Sequence, residues 1–479
     1  VKLQIKKSLL AASLMAAILP VQAEQVIPTG YKVETIKTPQ GMEFHVTGLD
    51  VDSKNNIYAA TRFGDVWRYT PEGQWQKFAE GLHEPTGLLV EDDNHIVVAQ
   101  KPELTRLSDT DKDGVADEYI RVADGWKFHD NYHEYHFGPV KDKAGNYYGT
   151  LNLSHGDPNA FDMGTMGSSG GYRGWAYQVN QQGEFTPYAF GLRSPAGIGI
   201  SPDDEIFFTD NQGDWVATST LQLLKKDKFY GHPVSLIDHP DYTPEKIRNT
   251  SVEAYDKWRE KPVVHIPHVE IANSPGNPEW NTTKGQFGPF EGQIFVGDQT
   301  QSNVFRIMLE EIDGVRQGAV INFIDGFQSG NIRVTFDQKG QLWIGQTARG
   351  WGAKGSKPYG LQKVVWDGTT PFELQNIQAK ADGFRVSFTQ PIDAKSIKKK
   401  AISAEQWHYN YGSDYGSPKV DLTQIDINSV KQVDDKTIDI KLDATQGYVV
   451  MLDFAGLTNK KGSSASSTKV YYTLNKKPN

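Results

Sequence analysis

One short pattern recurs along this chain: a hydrophobic residue, an Asp-rich turn with Gly or Asn, then an aromatic or aliphatic run. It reads LDVDSKNNIYAATR, LLVEDDNHIVVAQ, GPVKDKAGNYYGTL, IGISPDDEIFFTD, FGPFEGQIFVGD and VTFDQKGQLWIGQ, six copies in all. Each copy alternates with period 2 on both sides of a tight turn, the pattern of two antiparallel strands. Further strands follow most copies, among them DVWRYT, LTRLSD, GWAYQVN, NVFRIML and GLQKVVW. Helical periodicity is almost absent.

A small antiparallel sheet cannot bury its own apolar face, so repeated sheets must stack on one another. Repetition with aromatic residues and Gly turns predicts an all-β chain, with a six-bladed β-propeller over residues 24–370. After VVWDGTTPFELQ the pattern changes to short alternating strands: GFRVSFTQPID, TIDIKL, YVVMLDF and KVYYTL. These predict a small immunoglobulin-like β-sandwich over residues 371–479, with a structural or carbohydrate-contacting role. Two runs break the repeat spacing. Asn152 to Gly174 is rich in Gly and Ser and is expected as a loop; Lys225 to Gln286 is too long for one hairpin. Insertions of this length are expected to cover one end of the propeller and shape a pocket there.

Residues 1–23 read as a secretory signal: Lys2, Lys6 and Lys7, a short apolar run from Ser8 to Pro20, and small residues ending at Ala23. The apolar run is too short to span a bilayer, and no other segment is apolar enough to do so. The mature protein is therefore expected in the periplasm or secreted, without a membrane span. The chain has no cysteine, so disulfides play no part. Removing the three signal lysines takes the formal charge from −9 to −12. An acidic chain without basic clusters excludes nucleic acid as a partner.

Three constellations carry candidate chemistry. In SDTDKDGVADE, Asp109, Asp111 and Asp113 precede Gly114, so one tight loop could aim several carboxylates at a hard cation. The twelfth position is Ile120, not Glu, so this is a structural calcium-loop fragment and not an EF-hand. In HDNYHEYHFGP, three histidines fall within eight residues. The run leads into a strand, where His133 and His136 point to opposite faces and cannot readily share a metal. A single His at a strand start, facing a central channel, suits a general base. Tyr132 and Tyr135 beside it are sugar platforms or core. In FGLRSPAGIGISPDDEIFFTDNQGDWVATST, Arg193 stands between Gly and Pro turns, and Asp210 to Asp214 end a strand and turn. A fixed cation beside exposed carbonyls can bind an anionic ligand together with a cation.

These segments together resemble the glucose/sorbosone dehydrogenase superfamily. ATRFGDVWRY is similar to its first-blade motif and FGPVKDKAGNYYGTL to its third-blade strand. GLRSPAGIGISPDDEIFFTDNQGD resembles its Gly-Leu-Arg-Asn-Pro signature, and FYGHP a later Tyr-Gly-x-Pro element. HVEIANSPGNPEW and GFQSGNIRVTFDQKGQLWIGQTARGWG, with the tail, resemble a sorbosone-dehydrogenase-like subgroup. The resemblance implies a six-bladed propeller, pyrroloquinoline quinone and calcium. It implies His133 as catalytic base with His129 as rival and Arg193 on quinone or substrate. Arg333, Arg349, Lys101 and Arg62 would lie on the quinone, and Gly213 and Asp214 would offer carbonyls to calcium. The chain departs from the pattern in three places: Ser194 replaces the usual Asn, WVATST replaces the acidic cluster expected after the turn, and Asp130 stands at the family's distance for the histidine.

Three functions use these residues. The first is an exported quinone-dependent dehydrogenase of a sugar or related alcohol or aldehyde, passing electrons to a separate acceptor because no C-x-x-C-H haem motif is present. The second is a cofactor-free polysaccharide lyase or glycoside hydrolase, with His133 or Tyr132 as base and Arg193 as the neutralising cation. The third is a carbohydrate-binding propeller without catalysis.

Overall fold

The structure, a computed structural model, describes residues 26–479. The segment read as a secretory signal lies outside these residues. The described chain is nearly all β, and among its helices none is long and apolar enough to cross a membrane.

The repeat seen in the sequence becomes six antiparallel sheets. Sheet one begins with Val46–Val51 and Ile57–Thr61, sheet two with Gly87–Val90 and His95–Gln100, and sheet three with His136–Lys141 and Tyr147–Leu151. Sheet four begins with Gly197–Ile200 and Ile206–Asp210, sheet five with Glu279–Trp280 and Ile294–Asp298, and sheet six with Asn331–Phe336 and Leu342–Thr347. The first strand of each sheet contacts the first strand of the next, and that of sheet six contacts that of sheet one. The contacts thus form a closed ring. Its closure joins the two ends of the repeat region: Tyr31–Thr35 pairs with Tyr359–Trp366 as the outer strand of sheet six. Between neighbouring sheets sit apolar clusters, such as Tyr58, Phe78, Leu88, Val98 and Leu107 between sheets one and two. Glycine lets the first strands crowd the axis: a Cβ on Gly87 would stand 1.9 Å from the Gly138 carbonyl oxygen.

The axis is bridged by Arg333, in the first strand of sheet six. Its Nε donates to the Thr47 carbonyl (2.8 Å), Nη2 to the Thr86 carbonyl (2.8 Å), and Nη1 to the carbonyls of Ala196 (2.8 Å) and Ile332 (2.7 Å). Three of these oxygens belong to sheets one, two and four or the turns entering them. Arg333 is 6% exposed, its guanidinium lies over the Phe137 ring, and burial pushes its pKa down to about 9. It therefore remains charged at neutral pH, with no carboxylate beside it.

The two insertions are only partly loops. Residues 152–174 carry a three-stranded sheet of Ser154–His155, Phe161–Asp162 and Met166–Ser168. The later run carries a 3₁₀ turn and the short helices Pro244–Asn249 and Val252–Trp258, capped by Thr243 and Ser251 hydroxyls that accept N–H groups one turn on.

The C-terminal segment is continuous with sheet five. Strands Lys469–Thr473, Val449–Asp453, Ser403–His408 and Val420–Gln424 extend that sheet to eight strands. Leu374–Lys380, Gly383–Phe388, Thr437–Lys441 and Ser429–Gln432 form a second sheet against it. The core between them takes Met308, Ala319 and Ile321 from sheet five together with Phe384, Val386, Ile440, Leu452 and Tyr472. One apolar core thus runs across residue 371, where the composition changes.

Two measurements follow from the buried polar groups. Arg333→Met removes four charge-assisted donors and leaves carbonyls at the axis short of a partner; each such bond contributes about 1.5–3 kcal/mol, so the variant should lose about 3 kcal/mol or more in urea unfolding. An unchanged midpoint would show that the axis does not depend on the guanidinium. His136 is buried, bonded to the Gln100 carbonyl and the Tyr177 hydroxyl, and burial lowers its pKa to about 3. Its folded pKa lies below the unfolded value of about 6.5. Its contribution is present above that pH and is lost as pH falls through the window toward 3. The stability gap between wild type and His136→Gln should therefore narrow from pH 7 to pH 4; a constant gap would contradict a neutral buried imidazole.

Candidate functional site

In an antiparallel sheet, the turn entering the first strand and the turn leaving the second lie at the same end. His133 and Arg193 enter sheets three and four; Arg62, Lys101, Asn152, Asn211 and Arg349 leave second strands or lie just beyond them. All therefore sit at one end of the ring. A cavity opens on the axis there, lined by Arg62, His133, Tyr135, Phe137, Asn152, Ser194, Asn211, Gln299, Arg349 and Trp351. Thr47, Thr86 and Ala196 also line it, and their carbonyls hold Arg333. The floor of the cavity thus carries a buried positive charge.

The three clustered histidines have three different fates. His136 is the core residue described above. His129 donates its backbone N–H to Glu134 and places Nδ1 3.0 Å from the same carboxylate, which also accepts the Ser154 hydroxyl. It braces the loop and does not line the cavity, so it is no rival base. His133 does line the cavity. Its Nδ1 lies 2.8 Å from the Leu153 carbonyl, which can only accept, so Nδ1 carries the proton and Nε2 is an acceptor. Nε2 lies 3.3 Å from the Ser194 hydroxyl. Burial, helped by the nearby charges of Arg193 and His155, lowers the His133 pKa to about 3. The imidazole is thus neutral across the working pH range.

Arg193 stands behind this wall. Its Nε donates to Asp214 Oδ1 (2.8 Å), and its guanidinium lies 5.3 Å from the Tyr415 ring centre. Asp210 fixes the turn by accepting the backbone N–H groups of Arg193 and Ser194. Arg193 thus stands one residue behind the cavity lining, with its Nε engaged by Asp214.

Of the two backbone carbonyls expected at calcium, that of Gly213 is already engaged. The Gly213 carbonyl accepts N–H groups from Val216 (3.1 Å) and Gly416 (3.0 Å), which use both lone pairs. The Asp214 side chain accepts from Arg193, from Thr165 N–H and hydroxyl, from Met166 N–H and from His232 Nε2. Burial opposes its ionisation, but the His232 and Arg193 contacts outweigh this and hold the pKa far below the usual carboxylate range. The Gly213 carbonyl and the Asp214 carboxylate are thus both taken up within the protein. The reason lies in the C-terminal segment, whose loop at residues 410–417 bonds directly to the turn through Gly416 and through Gly412, whose carbonyl accepts Trp215 N–H.

The remaining expectations divide. Arg62 and Arg349 line the cavity; Arg62 donates to the Tyr135 hydroxyl (3.0 Å) and lies 3.7 Å from Glu84, while the Arg349 guanidinium lies over Phe63. Lys101 instead donates to the Asn131 carbonyl (2.9 Å) and lies 3.6 Å from Glu84, bracing the loop that carries His133. Arg333 is committed to the axis and cannot turn to a ligand. Tyr132 is exposed at the mouth, with its ring against His133. Asp109, Asp111 and Asp113 do converge, with ligand oxygens within 4.8 Å of one another, but in the turn between third and fourth strands, at the opposite end of the ring. Their oxygens accept N–H groups of Asp113, Gly114 and Val115.

Sequence reading missed Asn152 and Gln299, and gave Asn211 only as part of the Asp210–Asp214 turn. The signal that finds them is position, since each follows a second strand. The side-chain oxygens of Asn152 and Asn211 are buried without a hydrogen-bond partner. Two unpaired acceptors beside an imidazole acceptor form a wall suited to a ligand with several hydroxyl groups.

Comparison with known proteins places this geometry. Residues 73–305 match a family described as a domain of unknown function (DUF7133). No curated protein matches the sequence. Among solved structures, a putative oxidoreductase (glucose dehydrogenase) from Thermus thermophilus is 18% identical, with a TM-score of 0.51, covering 70% of this chain and 100% of its own. The PQQ-bound aldose sugar dehydrogenase of Streptomyces coelicolor is 14% identical, with a TM-score of 0.50, covering 71% and 99%. The soluble aldose sugar dehydrogenase of Escherichia coli, in its apo form, is 14% identical, with a TM-score of 0.51, covering 70% and 99%. At these identities the likeness is one of architecture: this chain carries the fold of soluble sugar dehydrogenases.

Proposed function

We propose that the ring is a six-bladed β-propeller completed by an immunoglobulin-like C-terminal module, and that its axial cavity oxidises a sugar or related alcohol with bound pyrroloquinoline quinone. The reading extends to export, on the strength of the N-terminal segment, and to a separate electron acceptor.

The observation that carries it is the wall of the cavity. Arg62 and Arg349 offer guanidinium groups to a polycarboxylate, the buried charge of Arg333 lies beneath, and His133 Nε2 faces inward as an acceptor. The quinone, when bound, supplies the acceptor for the hydride of the oxidised carbon. His133 receives the hydroxyl proton at Nε2, while the Leu153 carbonyl holds its ring and tautomer. With a pKa near 3, set chiefly by burial, the imidazole is a weak base, and negative charge in the cavity would raise its basicity. Asn152 and Asn211 accept neighbouring hydroxyls and fix the sugar's orientation. Phe137 and Trp351 limit water at the reacting carbon. Calcium at Gly213 and Asp214 has no part in this scheme.

The test is reconstitution with pyrroloquinoline quinone, followed by dye reduction across a panel of sugars. Wild type should reduce dye, and chelator should leave that activity unchanged. His133→Ala should lower kcat at least about 100-fold while leaving the unfolding midpoint intact. Arg349→Ala should raise the quinone concentration needed for half-maximal activity about tenfold or more. Unsaturated or shortened glycans formed without quinone, or full activity in His133→Ala, would overturn the assignment.

A further inference from the structure

The mouth of the cavity is ringed by aromatic side chains that nothing among the described residues covers. Trp351 is 45% exposed, Tyr132 44% and Tyr415 58%. His155 joins the first two, with its ring 6.3 Å from Trp351 and 6.2 Å from Tyr132. Tyr415 closes the arc on the side of sheet four, over Arg193, whose neighbour Ser194 lines the cavity. Trp351 reaches into the cavity as part of its lining. The arc therefore begins at the reacting pocket and runs outward over sheets six, three and four.

Its last member comes from the C-terminal module. The loop at residues 410–417 is anchored by Gly416 N–H on the Gly213 carbonyl, Ser417 N–H on the Ala217 carbonyl (2.8 Å) and the Tyr411 hydroxyl on the Gly231 carbonyl. This anchoring presents Tyr415 outward over Arg193. The same loop half-buries Tyr411 but leaves Tyr415 exposed beside the mouth.

Exposed aromatic rings around a pocket mark a surface that meets a ligand. The ligand must present flat apolar faces to the rings and several hydroxyls to the pocket, where the Asn152 and Asn211 oxygens lack partners. A pyranose ring has both, with C–H groups on its faces and hydroxyls on its edges. A lipid acyl chain would leave those buried acceptors unpaired.

We infer that the substrate is the end of a saccharide chain, its terminal ring in the cavity and its next rings on the Trp351–Tyr132–Tyr415 arc, so that the C-terminal module forms part of the substrate site. This names the substrate class of the site proposed above and rests on that reading.

The experiment is calorimetric titration of the full chain with cello-, manno-, xylo- and guluronate hexasaccharides against their monosaccharides. At least one series should bind about tenfold or more tightly as the hexamer. Tyr415→Ala should remove most of that gain without changing monosaccharide affinity, and Tyr415→Phe should retain it. Tyr119→Ala, an exposed aromatic at the outer edge of sheet two, should leave both affinities unchanged. Absence of any length-dependent gain, or its survival in the Trp351→Ala/Tyr415→Ala double variant, overturns the inference. Binding is read without quinone or dye. Length-dependent binding with no dye reduction therefore sinks the dehydrogenase reading alone, while dye reduction without length dependence sinks this inference alone.

Discussion

A single guanidinium holds the middle of this ring. Six small sheets packed side by side leave an axis where first strands meet at glycines and their entering carbonyls point inward. Left unpaired, those oxygens would be costly. Arg333 satisfies four of them, three from other parts of the ring. The charge is buried without a carboxylate, which is tolerable because carbonyl dipoles and the Phe137 face surround it. The arrangement has a functional side. Its positive charge sits under the cavity floor, in low dielectric, where it favours an anion or a developing oxyanion above it.

A second buried charge organises the rim. Asp214 gathers the Arg193 guanidinium, the His232 imidazole and the insertion backbone at Thr165 and Met166. One carboxylate thus ties the turn of sheet four to the signature arginine, to the insertion of sheet three and to the later helical run. Breaking such a pair from one side strands a buried charge, so these elements are fixed relative to one another. His133 is set against this framework and feels the Arg193 field from behind. The low pKa of the imidazole is the electrostatic consequence of setting it in so dry a wall.

Much of this was legible in the residues. The six-fold strand–turn–strand repeat is a local signal: five copies became the first two strands of a sheet, and FGPFEGQIFVGD supplied only the second strand of sheet five. The expectation that His133 and His136 do not share a metal followed from strand alternation, and the structure sends one to the cavity and the other to Tyr177. Long-range partners were not legible. Nothing near Arg333 in the chain says that its acceptors lie on Thr47, Thr86 and Ala196. Nothing near Gly213 says that a loop some two hundred residues on, at Gly416, takes its free lone pair. The acidic triplet at Asp109 was read correctly as a convergent loop, but its place at the far end depends on which strands it joins. Loop composition suggested coil for residues 152–174, where pairing within the insertion made a small sheet instead.

The change in composition near residue 371 marks a change of strand pattern without marking an independent body. Sheet five supplies strands to both parts, and its Met308, Ala319 and Ile321 lie in the core of the C-terminal sandwich. A module grafted in this way cannot pivot freely, because moving it would expose that core. Its loop therefore reaches the site end in one fixed place, where it consumes the Gly213 carbonyl and sets Tyr415 over Arg193. The rigid splice into sheet five is what allows a separate part of the chain to reach the cavity end, take up the Gly213 carbonyl and hold Tyr415 beside Arg193 without loosening the turn of sheet four.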